Sequence, residues 1–134
     1  MKHVLTKAFL VLTLTTSPFL QAHEGHDEAP GQLRSQHGGV VKGGKQLNLE
    51  MLAEGSKVTF YPVPHTGEKV ASSELKVTAT SQLPKGKAAP LKLTDKGDAF
   101  TGDVDFGTAN RSAVEVKVNY KGKTDTFKFQ VEKQ

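Results

Sequence analysis

Beyond its N-terminal stretch the chain is written in period two. From Gly38 onward apolar and polar residues alternate in short runs divided by glycine, proline and aspartate, the pattern of half-buried strands and not of helices. Val40 and Val41 begin a strand, and Lys42-Gly43-Gly44-Lys45 reads as a turn in which glycine reaches positive φ. The return strand covers residues 46–52, with Leu47, Leu49 and Met51 on one face and Asn48 and Glu50 on the other. Glu50 and Met51 read as an outward and an inward strand residue with no further role. A turn at residues 54–56 leads to a strand over 57–61 with Val58 and Phe60 inward. Pro62 and Pro64 are expected to interrupt pairing and leave the end of that strand at an edge.

The same grammar continues to the C-terminus. After a turn at residues 66–68 comes a short extended piece around Val70. A strand over 74–81 follows, in which Leu75, Val77 and Ala79 alternate with lysine and threonine. Residues 83–90 form a lysine-rich loop, Leu91 and Leu93 face inward on the next strand, and Asp95-Lys96-Gly97-Asp98 is a turn. A strand over 100–104 and a break at 107–110 precede the clearest hairpin. There Val114, Val116, Val118 and Tyr120 answer Phe127, Phe129 and Val131 across Lys121-Gly122-Lys123. Short strands at regular spacing predict an all-β, immunoglobulin-like β-sandwich of about seven to nine antiparallel strands. A closed barrel would show the same alternation. No apolar stripe has helical period, and there is no internal repeat.

The first 22 residues break this pattern in the manner of a secretory signal. Lys2 and Lys7 precede an apolar run over residues 8–14, Ser17-Pro18 ends it, and Ala22 supplies the small residue for cleavage. The run falls short of the ~20 residues a membrane span needs. The chain contains no cysteine, so neither a lipid-anchored precursor nor a disulfide is expected. The organisation predicted is therefore a signal peptide at 1–22, a flexible tail rich in histidine and acid at 23–37, and a sandwich at 38–134. It is expected in the periplasm, without a membrane anchor, as a monomer.

Charge sharpens this division. The whole chain carries 18 basic against 14 acidic residues, and removal of Lys2 and Lys7 leaves a net +2. That is too mild, and its lysines too dispersed, to argue for nucleic acid. Glu24, Asp27 and Glu28 crowd the first residues of the tail, which hold no lysine or arginine. An acidic tail thus precedes a basic body.

Three of the five histidines, His23, His26 and His37, lie in or beside that tail. Cleavage after Ala22 would give His23 both a free amine and an imidazole, which together chelate Cu(II). The amine ionises near pH ~8. His26 or His37 can add a second imidazole, while Glu24, Asp27 and Glu28 attract the cation. Were His23 trimmed, Glu24-Gly25-His26 would place histidine third, an arrangement that wraps Cu(II) or Ni(II). The plainer reading is that these histidines are solvated polar residues. His37-Gly38-Gly39 reads either as turn chemistry or as an anchor for a metal held by the tail. His65, in a proline-rich hairpin loop, reads as exposed, with a ligand role as the alternative. Without thiols the ligand set would be imidazole, carboxylate and amine, which suits Cu(II) or Zn(II), and also Ni(II) or Co(II). Such binding would weaken on acidification, because metal must displace protons. No nucleophile elbow, phosphate loop or HExxH is present, and no enzymatic activity is expected.

The order of an exported His-x-x-His acidic tail, then His37-Gly38-Gly39, a glycine turn, Leu47-Asn48-Leu49-Glu50-Met51 and Val58-Thr59-Phe60-Tyr61 running into a proline- and histidine-bearing turn resembles a known group. It is similar to small periplasmic heavy-metal resistance proteins and to the accessory N-terminal domains of metal-efflux adaptors. The resemblance covers residues 23–70. It implies a periplasmic role in binding divalent metal or passing it to a component of an efflux pump. The chain has no coiled-coil hairpin, lipoyl-like segment or barrel domain of the adaptors, so the role implied is that of a stand-alone buffer or carrier. The competing expectation is an immunoglobulin-like interaction module of an exported complex, docking through a strand edge and indifferent to metal. A hydrolase is a third, to be revived by a deep polar pocket.

Overall fold

A computed structural model describes residues 33–65 and 68–134. Among the described residues nine strands follow in chain order: β1 (Val40–Gly43), β2 (Leu47–Glu54), β3 (Lys57–Pro64), β4 (Leu75–Gln82), β5 (Ala89–Leu91), β6 (Thr94–Asp95), β7 (Phe100–Asp103), β8 (Arg111–Tyr120) and β9 (Lys123–Glu132). They pair into one sheet of order β1-β2-β3-β7-β6 and a second of order β5-β4-β8-β9. Every pairing is antiparallel. With β1 set aside, the first order is the A-B-E-D arrangement of an immunoglobulin sandwich, and the second its C-F-G sheet with one added strand. The alternation thus builds two packed sheets and not a barrel.

The core lies between the sheets and is filled by the inward half of each alternation. Leu47, Leu49, Met51, Val58, Phe60 and Phe100 come from the first sheet. Leu75, Ala79, Val114, Val116, Val118, Phe127, Phe129 and Val131 come from the second. Phe60 and Phe129 meet across the interface with ring centroids 5.9 Å apart. This apolar layer replaces the disulfide that the sequence cannot form, since burying such side chains stabilises by ~1.5–3 kcal/mol each.

Two local expectations are corrected. Gly43 lies within β1, and neither Gly43 nor Gly44 has positive φ. Glycine is needed at position 44 for space: a Cβ there would stand 2.5 Å from the Leu47 carbonyl oxygen and 2.7 Å from Asp125 Oδ2. That Asp125 carboxylate, buried at the start of β9, accepts the backbone amides of Lys45, Gln46 and Leu47 at 3.1, 2.8 and 3.3 Å. It therefore fastens the β1–β2 connection to the opposite sheet. Lys42 adds a second tie, donating to the Lys128 carbonyl and lying over the Phe129 ring.

The prolines are the other correction. Pro62 and Pro64 do not interrupt pairing with β2; they sit opposite Leu49 and Leu47. Pairing of β3 with β7 ends at Phe60, so from Tyr61 onward β3 has an open side. A proline costs a sheet nothing where its missing N–H would have faced outward, and the expected edge character of this segment holds on that side.

Candidate functional site

Strand β2 buries both of its faces. Leu47, Leu49 and Met51 point into the sandwich as alternation requires, yet Asn48 and Glu50 on the outer face are also buried, Glu50 to 0% exposure. The cover is the segment before β1, folded back across β2. Ser35 Oγ donates to Glu50 Oε1 at 2.6 Å, and the His37 and Gly39 amides donate to the same oxygen at 2.9 Å each. The Gln36 amide and His37 Nδ1 reach Oε2, each at 3.0 Å. Glu50 is therefore the anchor of the whole N-terminal strap, which overturns its reading as a plain outward residue. Ser35, Gln36 and His37, assigned by sequence to the tail, lie against the sandwich.

The His-Gly-Gly sequence explains how so many donors converge. Gly38 has φ +83°, a left-handed conformation that turns successive amides toward one oxygen. Gly39 passes so close to β2 that a Cβ would lie 2.3 Å from the Met51 carbonyl oxygen. Burial on its own would push the Glu50 carboxyl up. The hydrogen bonds from Ser35, His37, Gly39 and Gln36 outweigh it and lower the pKa from 4.5 to about 2. Glu50 is thus an anion that only accepts hydrogen bonds, and among the described residues no buried side-chain polar atom lacks a partner.

This fixes His37. Because the carboxylate can only accept, His37 Nδ1 carries the hydrogen. The ring lies flat on Tyr61, the residue paired with Glu50 across β2 and β3, with centroids 3.6 Å apart and planes 6° from parallel. Its side chain remains 38% exposed, and among the described residues Nε2 has no hydrogen-bond partner. His37 also walls a cleft of about 220 Å³ that opens beside the free side of β3, whose other charged lining residues are Glu68, Asp98 and Lys69.

His65 is held on the same face. Its Nε2 lies 3.1 Å from Asn48 Oδ1, so with oxygen as acceptor Nε2 bears the hydrogen and Nδ1 is the nitrogen left over. Asn48 and Glu50 are two residues apart on one strand face, about 7 Å along β2. The structure therefore brings His37 and His65 to neighbouring points of one surface, each imidazole tethered through one nitrogen. Among the described residues no three His, Asp or Glu side chains gather closely enough to hold one ion. His23 and His26 lie outside the described residues.

Sequence reasoning missed Asn48, Glu50 and Tyr61 as parts of this site. The available signal was a glutamate amid core-forming residues, paired with a glycine-rich segment offering consecutive amides. A larger cleft of about 650 Å³ lies at the other end of the sandwich, between residues 83–86 and 108–111. Its charged lining residues are Lys85 and Arg111, which repel a cation. Compared with protein-family models, curated proteins and solved structures, the chain matches none.

Proposed function

We propose that the protein binds a divalent metal, Cu(II) or Zn(II), in the periplasm and serves as a buffer or carrier linked to metal resistance and efflux. The observation that carries this reading is His37: one ring nitrogen is committed to a buried carboxylate, the ring is stacked, and the other nitrogen is left at the wall of a cleft lined by Glu68, Asp98 and Lys69. This is how proteins hold an imidazole meant for a metal. His65, tethered to Asn48 a short distance along the same face, supplies a second imidazole. His23 and His26 of the processed tail complete a nitrogen-rich set, with the new amine beside them. Ni(II) and Co(II) fit the same ligands less selectively. The site exchanges its cargo with a partner such as an efflux-pump component and performs no catalysis.

Calorimetric titration of the processed protein with Cu(II) and Zn(II) tests the reading. Binding in the micromolar range or tighter is expected, weakened by His37→Ala and by the paired change His23→Ala and His26→Ala. Absence of binding to the parent protein, or binding unchanged in both variants, overturns it.

A further inference from the structure

We propose that Glu50 is a positioning residue that locks His37 in the Nδ1–H form, so that metal enters only through Nε2. The inference rests on the metal-binding reading and goes beyond it by naming the ligating atom and the residue that selects it. A free neutral imidazole exchanges its proton between the two nitrogens, and either can ligate. Here Nδ1 is 3.0 Å from Glu50 Oε2, an oxygen of a carboxylate whose every other partner is a hydrogen-bond donor. The same carboxylate is fixed by the amides of Gln36, His37 and Gly39 and by the Ser35 hydroxyl. Moving the proton to Nε2 would set the bare lone pair of Nδ1 against the Glu50 oxygen 3.0 Å away. Turning the ring by half a turn would keep the stack on Tyr61 but would leave that oxygen short of a donor inside a buried pocket. Both alternatives are penalised. His65 is held in the opposite sense, through Nε2, so the surface offers one nitrogen of each kind.

Glu50 also acts on the metal it never touches. A carboxylate accepting from the far nitrogen makes the imidazole a better electron donor, and loss of such a partner costs roughly 10–100-fold in metal affinity. Nitrogen-15 correlation spectra of the metal-free parent protein read the tautomer directly, without any variant. A protonated Nδ1 with an unprotonated Nε2 at His37 supports the proposal, and a protonated Nε2 with a bare Nδ1 overturns it. Zn(II) added to the same sample is expected to move the His37 Nε2 resonance, and Glu50→Gln to weaken Zn(II) binding ~10–100-fold. A Zn(II) response entering through Nδ1 or sparing His37, or an unchanged affinity in a folded Glu50→Gln protein, overturns the proposal alone. No Zn(II) response at any histidine overturns the functional reading together with it.

Discussion

His37 and Tyr61 are stacked with ring centroids 3.6 Å apart and planes 6° from parallel, although they come from the strap and from β3. The contact places a chromophore beside the proposed metal nitrogen. The chain has two tyrosines and no tryptophan, so its near-ultraviolet emission comes from Tyr61 and Tyr120. Cu(II) bound at His37 Nε2 is expected to quench Tyr61 and to spare Tyr120, which ends β8 in the other sheet. Tyr61→Phe keeps the stack and should leave emission that Cu(II) hardly changes. Tyr61→Leu removes the stack and should cost about 0.5–1.5 kcal/mol in urea unfolding, together with a several-fold loss of metal affinity. Equal quenching in the parent and in Tyr61→Phe would place the metal elsewhere.

The Glu50 anchor predicts an acid sensitivity with a defined sign. Its carboxyl is held at about 2 against 4.5 for a free glutamate. The charged form is therefore the one that folding favours. Its contribution is complete above pH 4.5 and fades as pH falls through about 2, where the folded protein takes up the proton. A shift of this size corresponds to something on the order of 3 kcal/mol. Glu50→Gln should be less stable than the parent at neutral pH, and the gap should close on acidification. Urea midpoints measured through this range check it, and a gap that stays constant to the acid limit would remove the charge from the explanation.

How far the sequence foretold this arrangement follows from the distances over which each feature is decided. The β8–β9 hairpin was legible because alternation and its turn residues are local, and Val114 does face Phe129, as the pattern requires. The turn at Asp95 was legible for the same reason: its Oδ1 accepts the Gly97 amide. Glu50 was not, because its burial depends on residues 11 to 15 positions earlier folding back over it, and alternation reports only which face a residue takes. His65 does lie just past the end of β3, but the connection there crosses to the other sheet and is not the hairpin expected, and its tether to Asn48 again depends on tertiary geometry. Gly44 carried the right residue for the wrong reason, since close approach and positive φ leave the same letter in the sequence.

The two-residue turn between β8 and β9 offers a stabilising substitution. Lys121 and Gly122 have φ of 52° and 77°, the paired left-handed conformation of a type I′ hairpin turn. Lysine is costly there by ~1 kcal/mol, and asparagine much less so. Lys121 also lies over the Tyr120 ring, 5.0 Å from its centroid, an exposed contact worth about 0.5 kcal/mol. The backbone term is the larger, so Lys121→Asn should raise stability by a few tenths of a kcal/mol. Gly122→Ala should lower it by ~1 kcal/mol. Thermal and urea unfolding check both signs, and a destabilised Lys121→Asn would show that the ring contact dominates.

The paired glycines of the strap separate conformational strain from close contact. A Cβ on Gly38 would meet nothing within 4 Å, but φ there is +83°, so Gly38→Ala should cost ~1–2 kcal/mol through strain alone. A Cβ on Gly39 would stand 2.3 Å from the Met51 carbonyl oxygen, 2.7 Å from its carbon and 3.1 Å from the Leu52 nitrogen. All three are β2 backbone, held by pairing with β3, and cannot yield as a side chain would. The strap must move instead, which breaks the Gly39 amide bond to Glu50 and displaces His37 from its seat. Gly39→Ala should therefore cost more than Gly38→Ala and should also loosen Zn(II) binding by the factor expected for Glu50→Gln. Urea unfolding and Zn(II) titration of the two variants check the order. Equal losses of stability with undiminished Zn(II) affinity would mean that the strap tolerates displacement without disturbing the His37 imidazole.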